Sequence, residues 1–117
     1  MVQEQSERRL GPKRNLNKQE IALIQRLLEI SDRNEQLINL QSLEVQEMSD
    51  GGMGSLYIVN PQKPSGQRTF GCRIAEFQYK DADEVPIIAS LNVDEDGDLY
   101  EVDVWRVDYN PVIRLMP

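Results

Sequence analysis

The stretch Ile87–Tyr109, IIASLNVDEDGDLYEVDVWRVDY, decides how the rest of the chain is read. Two alternating runs flank Glu95-Asp96-Gly97-Asp98, and Asp-Gly is a favoured two-residue hairpin corner because both central residues take positive φ. With Asp96 and Gly97 at the corner, Glu95 faces Asp98, Val93 faces Tyr100, Leu91 faces Val102 and Ala89 faces Val104. Side chains alternate between faces along a strand, so these apolar residues gather on one side. The other side receives Asn92 opposite Glu101, Ser90 opposite Asp103, and Asp94 opposite Leu99. A slip of one residue would mix the two sets.

The alternation inverts at Val104-Trp105. Tyr100, Val102 and Val104 share one parity, and Trp105, Val107 and Tyr109 share the other. Either a β-bulge or a strand buried on both faces accounts for this. The second is favoured, because Ile88 falls opposite Trp105 and starts a small second apolar cluster. Core packing is therefore the leading expectation for Trp105.

Upstream, Asn17 and Glu20 form a capping box ahead of Ile21, Leu23, Ile24, Leu27, Leu28 and Ile30, a wide apolar stripe at helical spacing. Asp32–Leu40 reads either as a second short helix capped by Asp32 and Glu35 or as an irregular connection. Leu43–Met48 and Gly54–Asn60 form a first hairpin around Asp50-Gly51, with Val45 opposite Leu56 and Leu43 opposite Ile58. The Gly51-Gly52-Met53-Gly54 run lacks the Lys-Ser/Thr of a phosphate loop and opens no helix, so it reads as a glycine-rich turn. Pro61–Gly66 is a loop, and Thr69–Tyr79 is a third strand with Ala75, Phe77 and Tyr79 on one parity. Pro86 marks the entry to the fourth strand.

The sum predicts an α+β domain: an antiparallel five-stranded curved meander sheet with the N-terminal helix packed on its apolar face. Residues 1–14 read as a flexible basic arm and 15–117 as one domain. The arm's Arg8, Arg9, Lys13 and Arg14 suggest that it lies across the acidic hairpin.

At 117 residues, roughly two thirds of the unfolded chain's surface can be buried, enough for a core without staples. The single cysteine, Cys72, permits no internal disulfide, which fits a reducing cytoplasm. No apolar run approaches the roughly 18 residues of a membrane span, and the first residues show no signal core. The expectation is a cytoplasmic protein with no membrane association. Histidine is absent, which removes the commonest general base and zinc ligand. No cofactor and no metal are expected.

The net charge of −7 is uneven. Residues 1–33 carry seven basic and five acidic groups, whereas 81–108 carry ten acidic groups against Arg106 alone. Such a field repels nucleic acid and attracts basic partners.

Met48–Val59 (MSDGGMGSLYIV), Ala75–Ile87 (AEFQYKDADEVPI) and Leu91–Ile113 (LNVDEDGDLYEVDVWRVDYNPVI) resemble a family of small bacterial proteins known as a domain of unknown function. Gly97, Leu99, Glu101, Asp103, Trp105 and Asp108 carry the most specific part of the likeness. The resemblance points toward immunity or antitoxin-like proteins, which are small, acidic and often β-rich. It transfers no active site.

Three functions compete. The first is a protein-binding module, of immunity or antitoxin type, that neutralises a basic partner through Asp94, Asp96, Asp98, Glu101, Asp103 and Asp108, with Trp105 and Tyr109 beside them. The second is a divalent-cation or carboxylate-dependent hydrolytic protein. The Asp94–Asp98 spacing fails the calcium-loop pattern, and Glu101 and Asp103 lie roughly 6–7 Å apart by strand rise. The third is a homodimer or larger homo-oligomer joined at an open sheet edge or through the apolar tail Val112–Met116.

Overall fold

The computed structural model describes residues 9–33 and 40–116. Among the described residues, six strands and one α-helix follow in the order β1 (Arg14–Asn15), α1 (Lys18–Ser31), β2 (Glu44–Glu47), β3 (Leu56–Ile58), β4 (Phe70–Lys80), β5 (Pro86–Asp94) and β6 (Leu99–Arg106). All neighbouring strands are antiparallel, in an open sheet of order β1-β2-β3-β6-β5-β4.

The α+β class holds, with two corrections. The sheet has six strands rather than five, because residues that precede the helix pair with β2: Arg14 lies opposite Val45, and Leu10 bridges to Met48. Of the expected arm, residues 1–8 lie outside the described residues; residues 9–14 run beside β2, with Arg14 paired to Glu20 and Glu47 rather than laid across the β5–β6 hairpin. Nor is the sheet a simple meander, since β3 neighbours β6 instead of β4. The physical reason lies in Leu56, Tyr57 and Ile58, all buried, which suit an interior strand. The Pro61–Gly66 loop is too long and too proline-rich for a tight hairpin, and it carries the chain across to the far edge.

Helix α1 begins where the capping box requires. Asn17 Oδ1 accepts the Glu20 N–H at 2.8 Å, and Glu20 Oε1 accepts the Asn17 N–H at 2.9 Å. Leu23, Ile24, Leu27 and Leu28 are fully buried over β4 and β5. The helix stops at Asp32, which takes the left-handed conformation at φ 66°. Asp32 therefore ends this helix instead of capping another, and residues 34–39 lie outside the described residues. Leu91, Ala89, Val102, Val104, Ala75 and Ile87 supply the sheet side of the core.

The hairpin register is the expected one from Ile88 opposite Trp105 through Asn92 opposite Glu101. At the tip it departs: Val93 faces Leu99, and Tyr100 becomes the extra residue of a bulge. The corner is a three-residue loop, with Asp94 N–H donating to the Asp98 carbonyl (2.8 Å), Gly97 N–H to the Asp94 carbonyl (2.9 Å), and Gly97 at φ 89°. A turn followed by a left-handed glycine is the usual three-residue solution. The first hairpin is also shifted, by two residues, so that Val45 faces Ile58 and Glu47 faces Leu56. Its six-residue connection, 49–54, is gathered by the Asp50 carboxylate, which accepts the Met53 and Ser55 N–H groups. Because the slip is even, the buried parity survives.

Trp105 is 41 % exposed, and no bulge separates it from Val104. Its expected core packing is thus corrected. Arg106 takes the core-side position opposite Ile87 and is buried.

Candidate functional site

The carboxylates singled out from the sequence do not form one surface. At the hairpin tip, Asp94 is buried beside Arg68, with Nε to Oδ2 at 2.9 Å. Its other oxygen accepts the N–H groups of Asp96 (2.9 Å) and Asp98 (3.1 Å), which sets the loop conformation. Arg68 also donates to the Tyr57 hydroxyl and to the carbonyls of Ile58 (2.7 Å) and Leu99 (2.6 Å). Its guanidinium sits 5.4 Å from the Tyr57 ring centroid and 5.0 Å from that of Tyr100. The bulge at Tyr100 turns that ring toward Arg68. One arginine thereby joins the 59–69 connection, β3 and the hairpin.

Lys63 closes the tip from outside. Its Nζ lies 3.0 Å from Asp94, 2.8 Å from Asp96 and 2.8 Å from Asp98. The hydrogen bonds it donates to Asp96, Asp98 and Asp94 hold its ammonium above the usual lysine range. Burial works against the charge of Asp94, yet the bonds from Lys63, the Asp98 N–H and Arg68 outweigh it and press its carboxyl well below the ordinary value. An ammonium group stands where the cation reading would put a metal ion. Among the described residues no group of three or more metal-ligating side chains is assembled.

Midway along the hairpin, Glu101 and Asp103 are bridged by one amide. Asn92 Nδ2 donates to Glu101 at 3.2 Å and to Asp103 at 3.1 Å. Asn92 itself is buried. The two carboxylates thus share one amide donor.

At the hairpin base, Asp108 pairs with Arg106 (2.8 Å), which together with the Asn110 N–H lowers its pKa. Arg106 also meets Asp81 (2.7 Å) and Asp83 (2.6 Å). Asp81 is fully buried and accepts the N–H groups of Ile113 (2.8 Å) and Arg114 (2.9 Å), so it latches the C-terminal segment. Val112, Leu115 and Met116 then pack against the core. Trp105 and Tyr109 lie outside this network with ring centroids 5.9 Å apart, and Tyr109 is 70 % exposed. They border a recess of about 370 Å³ whose other walls include Asp50, Met53, Ser55 and Asp103.

A larger cleft, about 460 Å³, opens between the first turn of α1, the 49–54 connection and the C-terminal segment. Its cation, Arg14, is already held by Glu20 (2.8 Å) and Glu47 (3.0 Å).

The tip and the base are separated by the length of β6, roughly 23 Å at strand rise. Exposed candidates remain at both ends: Asp96 and Asp98 at one, Trp105 and Asp108 at the other. Asp94 is consumed by structure. The sequence reading missed Lys63, Arg68, Asp81 and Arg106, the residues that organise these groups. A signal existed only for Arg106, a charge at the parity of Val102 and Val104. Nothing local marks Lys63 or Arg68, whose acidic partners are 26 or more residues away.

The family model described as "Domain of unknown function (DUF6984)" matches residues 13–116, and the chain belongs to that family. No curated protein and no solved structure matches the chain. Among the described residues, no helix is long and apolar enough to cross a membrane.

Proposed function

We propose that this member of the family is a protein-binding module that receives a basic protein at the base of the β5–β6 hairpin, in the manner of an immunity or antitoxin-type protein. One observation carries the reading: Trp105 and Tyr109 are exposed side by side at the rim of a recess that also contains Asp50 and Asp103. A strand position could hide an indole against the sheet, and here Trp105 stays on the exposed face. Exposed aromatic residues beside a shaped recess are favoured anchors for a partner's side chains. The recess supplies apolar contact, and the negative field of the hairpin speeds the approach of a cationic protein. Asp96 and Asp98, though paired with Lys63, remain half or more exposed and add to that field at the far tip.

Affinity capture from the native host at low and moderate salt tests this. The wild type, a Trp105→Ser/Tyr109→Ser variant and an Asp96→Asn/Asp98→Asn variant are compared. The aromatic variant is expected to lose a basic partner that the wild type retains. The tip variant is expected to keep it with slower, less salt-dependent association. Absence of any partner that distinguishes wild type from the aromatic variant would overturn the reading.

A further inference from the structure

We propose that β4 pairs antiparallel with β4 of a second copy of this chain, about a two-fold axis centred on Gln78, so that two sheets continue as one. This surface lies at the opposite edge from β1 and is independent of the aromatic recess. Strand β4 ends the sheet, and among the described residues no strand lies beyond it. It is also the longest strand, with eleven residues.

A long, regular edge is a template for another strand, and natural sheets guard such edges with bulges. In β4 the register shifts fall between Phe70 and Cys72 and between Arg73 and Ala75. They guard only the first half. From Ala75 to Lys80 the pairing with β5 is regular. On that half Glu76, Gln78 and Lys80 are exposed on one face, and Phe77 and Tyr79 are half-buried on the helix side. The Phe77 and Tyr79 rings stack at 5.2 Å, with the Arg26 guanidinium of α1 over Phe77.

Charge complementarity selects both the occupant and the register. A two-fold axis on Glu76 would set two carboxylates against each other. An axis on Phe77 sets Glu76 against Gln78, and one on Tyr79 sets Lys80 against Gln78. An axis on Gln78 places Glu76 opposite Lys80 of the second copy, twice, and Phe77 opposite Tyr79, twice. Directly opposed residues bring their Cβ atoms to roughly 4.5–5.5 Å, so both kinds of pair touch. The result is a self-complementary interface with opposite charges on one face and a row of four aromatic rings on the other. The present partners of these charges compete weakly: Lys80 meets Glu84 at 3.5 Å, and Glu76 meets Arg73, all exposed.

Sedimentation equilibrium on the full chain, across protein concentrations, tests this with the wild type, Glu76→Lys, Lys80→Glu and the double exchange Glu76→Lys/Lys80→Glu. Circular dichroism checks that each variant is folded. The wild type is expected to dimerise. Each single change is expected to weaken the dimer about tenfold or more, since two attractive pairs become repulsive. The double exchange is expected to restore it. A wild type that stays monomeric to the highest attainable concentration would overturn the inference. So would a dimer indifferent to the single changes, or a folded double exchange that fails to re-associate.

Discussion

Arg68 Nε and Asp94 Oδ2 lie 2.9 Å apart, with both side chains closed to water. Further hydrogen bonds support the pair: two carbonyls and a hydroxyl accept from the guanidinium, and two loop N–H groups and Lys63 donate to the carboxylate. Removing one partner strands the other charge in the interior. Asp94→Ala is therefore expected to cost about 3–5 kcal/mol in urea unfolding. Arg68→Met is expected to cost a similar amount, and the double substitution much less than the sum. A near-additive cycle would mean that the two charges do not depend on each other.

The same logic gives a pH dependence. Burial disfavours the charge on Asp81, but the N–H groups of Ile113, Arg114 and Ala82 and the Arg106 guanidinium overcome it and hold the carboxyl down to about 2, below its ordinary 3.8. Asp94 is depressed in the same direction. A folded pKa below the unfolded one gives stability that is complete above the unfolded value and is lost as pH falls through the folded one. Stability is thus expected to be flat above roughly pH 5 and to decline between roughly pH 4 and 2. Asp81→Asn should flatten that decline and speed amide exchange at Ile113 and Arg114. An unchanged acid limb in that variant would show that the latch does not contribute.

Two glycines rank in an order that the sequence alone would reverse. Gly97 sits at φ 89° with open space around it, so Gly97→Ala strains only the backbone and is expected to cost about 1 kcal/mol. Gly71 has no positive φ, yet a Cβ there would lie 2.3 Å from the Asp94 carbonyl oxygen. That neighbour is backbone beside the buried ion pair and cannot swing away. Gly71→Ala is expected to cost about 2–3 kcal/mol, more than Gly97→Ala, in thermal or urea unfolding.

What was legible in the sequence follows the range of the interaction. The capping box of Asn17 and Glu20, the stripe Leu23–Leu28 and the face shared by Leu91, Val102, Ala89 and Val104 depend on periodicity and near neighbours, and each could be read directly. At Asp96-Gly97 the sequence points to a two-residue corner, but the side chain of Asp94 intervenes. Its carboxylate binds two loop N–H groups and converts a two-residue corner into a three-residue one. The β3–β6 neighbourhood is hidden for a similar reason, since Arg68 joins Tyr57 and Ile58 of β3 to Asp94 and Leu99 of the hairpin, and only the fold brings these together. Counting charges along 81–108 likewise overstated the acidic face, because Lys63 and Arg68 fold back onto it from outside that window.

Trp105 separates folding from function. It is the sole tryptophan and lies 41 % exposed on β6, while Leu91, on the opposite face of the neighbouring strand, is fully buried. Native fluorescence is therefore expected to be that of a partly hydrated indole, open to acrylamide and shifted further to the red on unfolding. Trp105→Ala should change stability by less than about 1 kcal/mol, whereas Leu91→Ala should cost about 2–5 kcal/mol through lost burial and the cavity left behind. If both hold, any loss of partner binding in a Trp105 variant belongs to the surface and not to the fold. A blue, quencher-resistant emission would instead place the indole under cover, and the aromatic recess would lose the anchor on which docking depends.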